Sequence, residues 1–301
     1  MNLDFDTRLR FTVFERVDRL RREHGGVVPS PRLNEGVILD GERVPIWSQQ
    51  RGIYKPDVLG RDGAALTIQT SYRDPYEDRF HPDDDTLLYR YQGTDPDHAD
   101  NRAMRRALEL GRPLLYLVAV RQGLYESIFP CYVVGDAPER LTFMLIADEA
   151  RLITPAAAPD ADWPRKAYVT RAVKQRLHQQ RFRYLVLAAY RDQCAMCRLR
   201  HVELLDAAHI LPDRDERGNP EVPNGLSLCR IHHRAYDVDI LGVDPEYRIH
   251  LRRDILDEID GPMLRHGLQD LQGERIHVPR TALMRPRRDY LAERFERFKV
   301  A

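Results

Sequence analysis

No stretch of the 301-residue chain approaches the roughly 20 consecutive apolar residues that a bilayer-spanning helix needs, which excludes a helical membrane protein. Net charge is missing as well. The 47 basic and 47 acidic residues cancel, so bulk electrostatics gives no support for a nucleic-acid partner. Cysteine is scarce, with four in all, and in a chain of cytoplasmic character these are not expected to form disulfides. The N-terminus lacks the charged-then-apolar layout of a secretion signal. It instead mixes acids and bases with Phe11, Phe14, Val17 and Leu20 at helical spacing, which predicts an amphipathic helix in a cytoplasmic protein. No internal repeat is present.

A composition of 43% hydrophobic and 31% charged residues is that of a soluble globular protein, and the length suits two domains. A segment rich in Ala and Pro, Thr154–Pro164, suits neither helix nor strand, and it places a linker at 154–165 between domains at 1–153 and 166–301. Upstream, the β-type runs Thr86–Gln92, Pro113–Val120, Glu126–Val134 and Leu141–Ile146 surround a helical stretch near Asp97–Leu110. Downstream, Thr170–Arg191 reads as an amphipathic helix with a basic face, followed by a short two-stranded segment and another helix. The expected class is α+β.

Charge is unevenly spread. Arg165–Arg200 holds ten Lys/Arg and one acid, a local net of +9, whereas Asp74–Asp100 has a net of −7. The basic stretch is either a phosphate-tracking surface or a solvated helix face.

Three of the four cysteines fall close together, in Cys194-Ala-Met-Cys197 and Cys229-Arg-Ile-His232. Two pairs with two-residue gaps suit a tetrahedral Cys3His structural zinc site, since each pair folds around the ion and leaves the intervening loop free. Cys131, within Phe-Pro-Cys-Tyr-Val, is most simply a buried strand residue.

Between and beyond these pairs lie Leu204-Leu-Asp-Ala-Ala-His209-Ile-Leu-Pro, Pro223-Asn224-Gly-Leu-Ser-Leu-Cys229 and Arg230-Ile-His-His233-Arg-Ala-Tyr-Asp237. Here the chain closely resembles the HNH (ββα-metal) endonucleases. The resemblance implies a metal-dependent DNA endonuclease in which His209 is the general base, Asn224 orients that ring or helps ligate the metal, and His233 binds the catalytic ion. His233 and Asp237 are four apart, so both project from one helical face and can chelate one Mg²⁺ or Mn²⁺. Phosphodiester hydrolysis asks for such groups, because a proton must leave the attacking water and the anionic centre must be neutralised. Ala208 departs from the family, many of whose members carry an additional metal ligand at that position. Asp206 would lie on the opposite strand face from His209, as a supporting group at most.

In the upstream domain Tyr89-Arg-Tyr91-Gln-Gly93-Thr-Asp95, followed by Asp100-Asn101-Arg, resembles the SRA domain, a reader of 5-methylcytosine; Tyr76-Glu-Asp78 is similar to that family's pocket-closing loop. The resemblance implies an SRA/PUA-like twisted β-barrel with flanking helices, in which Tyr76 and Tyr91 sandwich a flipped base and Asp78 accepts a hydrogen bond from cytosine N4. Together the two resemblances imply a type IV-like restriction endonuclease that cuts double-stranded DNA carrying 5-methylcytosine or 5-hydroxymethylcytosine. A homodimer is expected, since one site cuts one strand. Two other readings remain at this point: an HNH nuclease whose N-terminal domain binds a different partner, and a zinc DNA-binding module without catalysis. The residues from about Asp254 onward suggest no chemistry.

Overall fold

The computed structural model describes residues 3–71, 86–147, 178–215 and 217–300. The chain divides into two compact units, Met1–Leu177 and His178–Ala301, and both mix helix and strand. The expected linker at 154–165 lies outside the described residues, as do Tyr76 and Asp78. Among the described residues no helix is long and apolar enough to cross a membrane.

The first unit opens with the helix Phe5–Glu23, started by Asp4, whose carboxylate accepts from the Thr7 amide at 2.9 Å. Its buried stripe is Leu9, Val13, Phe14, Val17 and Leu20. Phe11, expected on that face, is 38% exposed, because two residues on from Leu9 the helix has turned by about 200°. Arg10 is fully buried and donates to the carbonyls of Ala65 and Pro113 and to the Asp6 carboxylate, which ties the helix to the body of the unit.

That body is a seven-stranded sheet running in the order Ile53–Tyr54, Thr67–Gln69, Leu114–Arg121, Leu124–Ala137, Thr142–Ala147 and Leu87–Arg90, with Val28–Pro29 paired to Leu124–Ala137. All pairings are antiparallel except Thr67–Gln69 with Leu114–Arg121. Each of the four strands expected from runs of β-type residues is found within a few residues of its expected limits, and the helix is Ala99–Glu109. The sheet curls: the Tyr89 hydroxyl, on one terminal strand, donates toward the carbonyls of Gly52 and Gln69 at the other end, at 2.7 and 2.9 Å. Cys131 is a buried strand residue, and burial pushes its thiol up to about 12, so it is unreactive near neutral pH.

The second unit begins with a helix over 178–189 that buries Phe182, Val186 and Leu187. A loop carrying Cys194 and Cys197 follows, then an antiparallel hairpin, Leu205–His209 with Gly225–Cys229, and the helix Arg230–Asp237. Gly225 permits the close approach of the first helix. A Cβ there would meet Val186 at 2.4 Å and the Phe182 ring at 2.9 Å. A second hairpin, Leu241–Val243 with Ile249–Leu251, and the helices Pro262–Gly267 and Arg288–Lys299 complete the unit. These last segments are integral to it. Tyr290 and Leu291 enter the shared core, and Arg294 is buried against the Tyr236 carbonyl and the Asp239 carboxylate.

Candidate active site and metal centre

Four donors converge where the Cys194–Cys197 loop meets the start of the helix Arg230–Asp237. The ligand atoms of Cys194, Cys197, Cys229 and His232 all lie within 4.8 Å of one another. A tetrahedral zinc with bonds of about 2.3 Å to sulfur and about 2.0 Å to nitrogen sets S···S near 3.8 Å and S···N near 3.5 Å. The observed separations are 3.9 Å for Cys197 to Cys229, 3.5 Å for Cys194 to His232 Nδ1 and 3.1 Å for Cys229 to His232 Nδ1. His232 points Nδ1 at the sulfurs and Nε2 at the Gly267 carbonyl, 2.7 Å away. That outer hydrogen bond fixes the tautomer that leaves the Nδ1 lone pair free for a metal. The donor set and its geometry fit a structural zinc ion.

At the next residue of the helix, the side chain of His233 stands between two carboxylates. Its Nδ1 lies 3.7 Å from Asp206 and its Nε2 lies 3.5 Å from Asp237. The helix supplies the second pair by its i, i+4 spacing, and the first strand of the hairpin supplies Asp206 across the sheet-helix junction.

His209 ends that strand and faces Gly225 in the hairpin register. Its ring stacks on Phe182 with centroids 4.1 Å apart and an interplanar angle of 23°. Burial pushes its pKa below the ordinary histidine value; Asp213 pulls it back, the His233 ring lowers it again, and Asp206 and Asp237 raise it. The net effect is downward, so the imidazole is neutral near pH 7 and ready to accept a proton. The mutual electrostatic influence places His209, His233, Asp206 and Asp237 in one neighbourhood. Nε2 of His209 is buried with no hydrogen-bond partner among the described residues.

Asn224 departs from expectation. Its side-chain hydrogen bonds go to backbone: the side chain is buried, its oxygen accepts from the Leu211 amide at 2.9 Å, and its nitrogen donates to the carbonyls of Leu211 and Asn219 at 3.1 Å each. Its own carbonyl accepts from the Ile210 amide. An amide bonding to both backbone groups of Leu211 copies a strand partner and pins the chain just after His209. Asn224→Ala is expected to cost about 2–4 kcal/mol in urea denaturation, since it leaves buried backbone groups unsatisfied.

Tyr91 also differs from the expectation of an open stacking platform. It is 7% exposed, stacks on Phe143 at 4.5 Å, and its hydroxyl is engaged by Asp136 and Arg105. Asn101 bonds to the backbone of Gln92 and Asp95, so much of the motif around Tyr91 builds a turn and a core layer.

A half-buried imidazole beside a histidine-carboxylate pair offers the groups that metal-assisted phosphodiester hydrolysis needs. Residues 194–244 match the family model described as HNH endonuclease, and this segment contains every member of both clusters. The chain therefore carries an HNH endonuclease domain and is a DNA endonuclease. Among solved structures it is similar to a modification-dependent TagI restriction endonuclease, with a TM-score of 0.33 and 15% identity over 83% of this chain and 86% of that one. It is also similar to the type IV phosphorothioation-dependent restriction endonuclease ScoMcrA, with a TM-score of 0.25 and 17% identity over 62% of this chain and 55% of that one. A search of curated proteins finds no match.

Proposed function

We propose that the protein is a modification-dependent restriction endonuclease in which His209 takes the proton from the attacking water and His233 and Asp237 hold the catalytic ion. The observation that carries this reading is a half-buried His209, its pKa held down by burial, set beside the His233–Asp237 pair. When bound there, Mg²⁺ or Mn²⁺ supplies charge neutralisation at the scissile phosphate. Asp206 would compensate for Ala208 in a different way: standing at Nδ1 of His233, it would favour a proton there and leave Nε2, on the Asp237 side, as the atom that could ligate a metal. Phe182 and Asn224 hold the base, one through its ring face and the other through the backbone that follows it. Zinc held by Cys194, Cys197, Cys229 and His232 would staple the hairpin to the helix.

The first unit is assigned the reading of 5-methylcytosine or 5-hydroxymethylcytosine in double-stranded DNA by base flipping, in an SRA/PUA-like fold. Its support is the sequence resemblance around Tyr76–Asp78 and Tyr89–Asp95. In this reading Tyr76 stacks on the flipped base and Asp78 receives its N4 hydrogen bond. Tyr91, already packed on Phe143, is confined to the layer behind. Flipping costs a few kcal/mol, and an aromatic stack worth roughly 1–3 kcal/mol together with pocket hydrogen bonds offsets it. A homodimer would deliver one HNH site to each strand.

The test is cleavage of duplexes of one sequence with unmodified, methylated or hydroxymethylated cytosine, in Mg²⁺ and in Mn²⁺. Cutting confined to the modified duplexes is expected. Equal cutting of all three would remove the reader and favour a different partner for the first unit; the burial of Tyr91 is the one observation already on that side.

A further inference from the structure

We infer that the Cys194–Cys197 loop carries a second DNA contact, in which Arg191, Arg198 and Arg280, gathered around His277, grip backbone phosphates other than the one being cut. The inference rests on the endonuclease reading and adds a surface to it. His277 is seated on the loop, its backbone amide donating to the Ala195 carbonyl at 2.7 Å, and its Nε2 lies 3.3 Å from Nη2 of Arg191. Burial and then Arg191, Arg198 and Arg280 in turn all depress the pKa of His277, so three guanidinium groups from two separate chain segments act on one ring.

These guanidinium groups are exposed, and none has a carboxylate within 4.0 Å among the described residues. Elsewhere in the unit Arg217, Arg252 and Arg287 are each paired with an acid. Like charges brought together without a counter-charge repel one another, and the arrangement is relieved by an anion that reaches several of them at once.

The backbone points the same way. Arg191 and Arg198 have φ of 58° and 62°, in the left-handed region where glycine sits without strain and a side chain does not. Two of the three cations thus stand where the local fold would be easier with no side chain. Duplex DNA, with one charge per roughly 1.7 Å of helix axis, is the polyanion that can meet cations spread over several segments. The arrangement also assigns a role to the end of the basic stretch Arg165–Arg200. Arg183, in the same stretch, is spent internally on the carbonyls of Val202 and Leu205.

The experiment measures duplex affinity against salt concentration for the full chain, in a His209→Ala background that prevents cutting. The triple variant Arg191→Gly, Arg198→Gly, Arg280→Ala is compared with its parent. Each phosphate contact contributes about 0.9 to the slope of log K against log salt, so the slope should flatten by up to about 2.7, with affinity falling at least about tenfold at moderate salt. In a chain that keeps His209, turnover at saturating DNA should be unchanged. Because glycine suits both left-handed positions, zinc content and melting temperature should hold. Should the triple variant misfold, Arg198→Gly alone is expected to flatten the slope by about 0.9. Unchanged slope and affinity in a folded variant, where the chain that keeps His209 binds and cuts DNA, would overturn this surface alone. A preference of the parent for single-stranded RNA or an acidic protein over duplex DNA would overturn the choice of partner. A chain with His209 intact that neither binds nor cuts duplex DNA would take down the nuclease reading together with it.

Discussion

Replacing His209 with alanine is expected to slow DNA cleavage by about 10²–10⁴-fold, the usual contribution of a positioned general base, while duplex affinity stays where it was. The ring contributes to no hydrogen bond at Nε2 among the described residues, so its removal deletes a buried unsatisfied atom and leaves none behind. Stability should therefore change little, apart from the lost stack on Phe182. Single-turnover cleavage, duplex binding and a thermal melt together check the three parts. The wild-type rate should also depend on pH with a definite sign. Burial holds the His209 pKa below its ordinary value, so the neutral, active form persists at neutral pH and cleavage falls only as pH drops below about 6.5. Asp213, His233, Asp206 and Asp237 are the charges that set where that fall occurs.

The second large effect concerns the Cys3His cluster. Structural zinc sites return roughly 10–16 kcal/mol of apparent binding free energy, as much as or more than the 5–15 kcal/mol by which whole domains are stable. The unit His178–Ala301 should therefore not hold its fold without the ion. Cys229→Ala is expected to abolish zinc binding and cleavage together and to expose that unit to protease. The effect should reach the C-terminal region, because His232 is tied through Nε2 to Gly267. Metal analysis paired with limited proteolysis checks it, and a folded, protease-resistant unit in the zinc-free variant would contradict it.

Both clusters were legible in the sequence because each is built largely from local spacing. The Cys-x-x-Cys and Cys-x-x-His pairs and the i, i+4 relation of His233 to Asp237 survive any change in the rest of the fold. Strands were legible for a similar reason: Leu114–Arg121 and Thr142–Ala147 are runs bounded by turn residues. What sequence spacing did not disclose depends on contacts between distant segments. Asp206 reaches His233 only because the helix packs across the hairpin. Asn224 is spent on Leu211 and Asn219 because the loop after His209 folds back over it, which no motif announces. The segment beyond Asp254 shows no chemistry of its own, yet it buries Arg294 against the helix Arg230–Asp237 and supplies the Gly267 carbonyl behind His232. Tyr91 matches a motif by its neighbours, and its burial on Phe143 follows from strand pairing across the sheet.

The most direct measurement is anomalous diffraction from Mn²⁺ in crystals of the zinc-loaded protein bound to a duplex. The account predicts a manganese peak in contact with His233 Nε2 and Asp237, beside the His209 ring and distinct from the zinc among the cysteines. A peak elsewhere, or none at that pair in protein that cuts the duplex under the same ions, would contradict it.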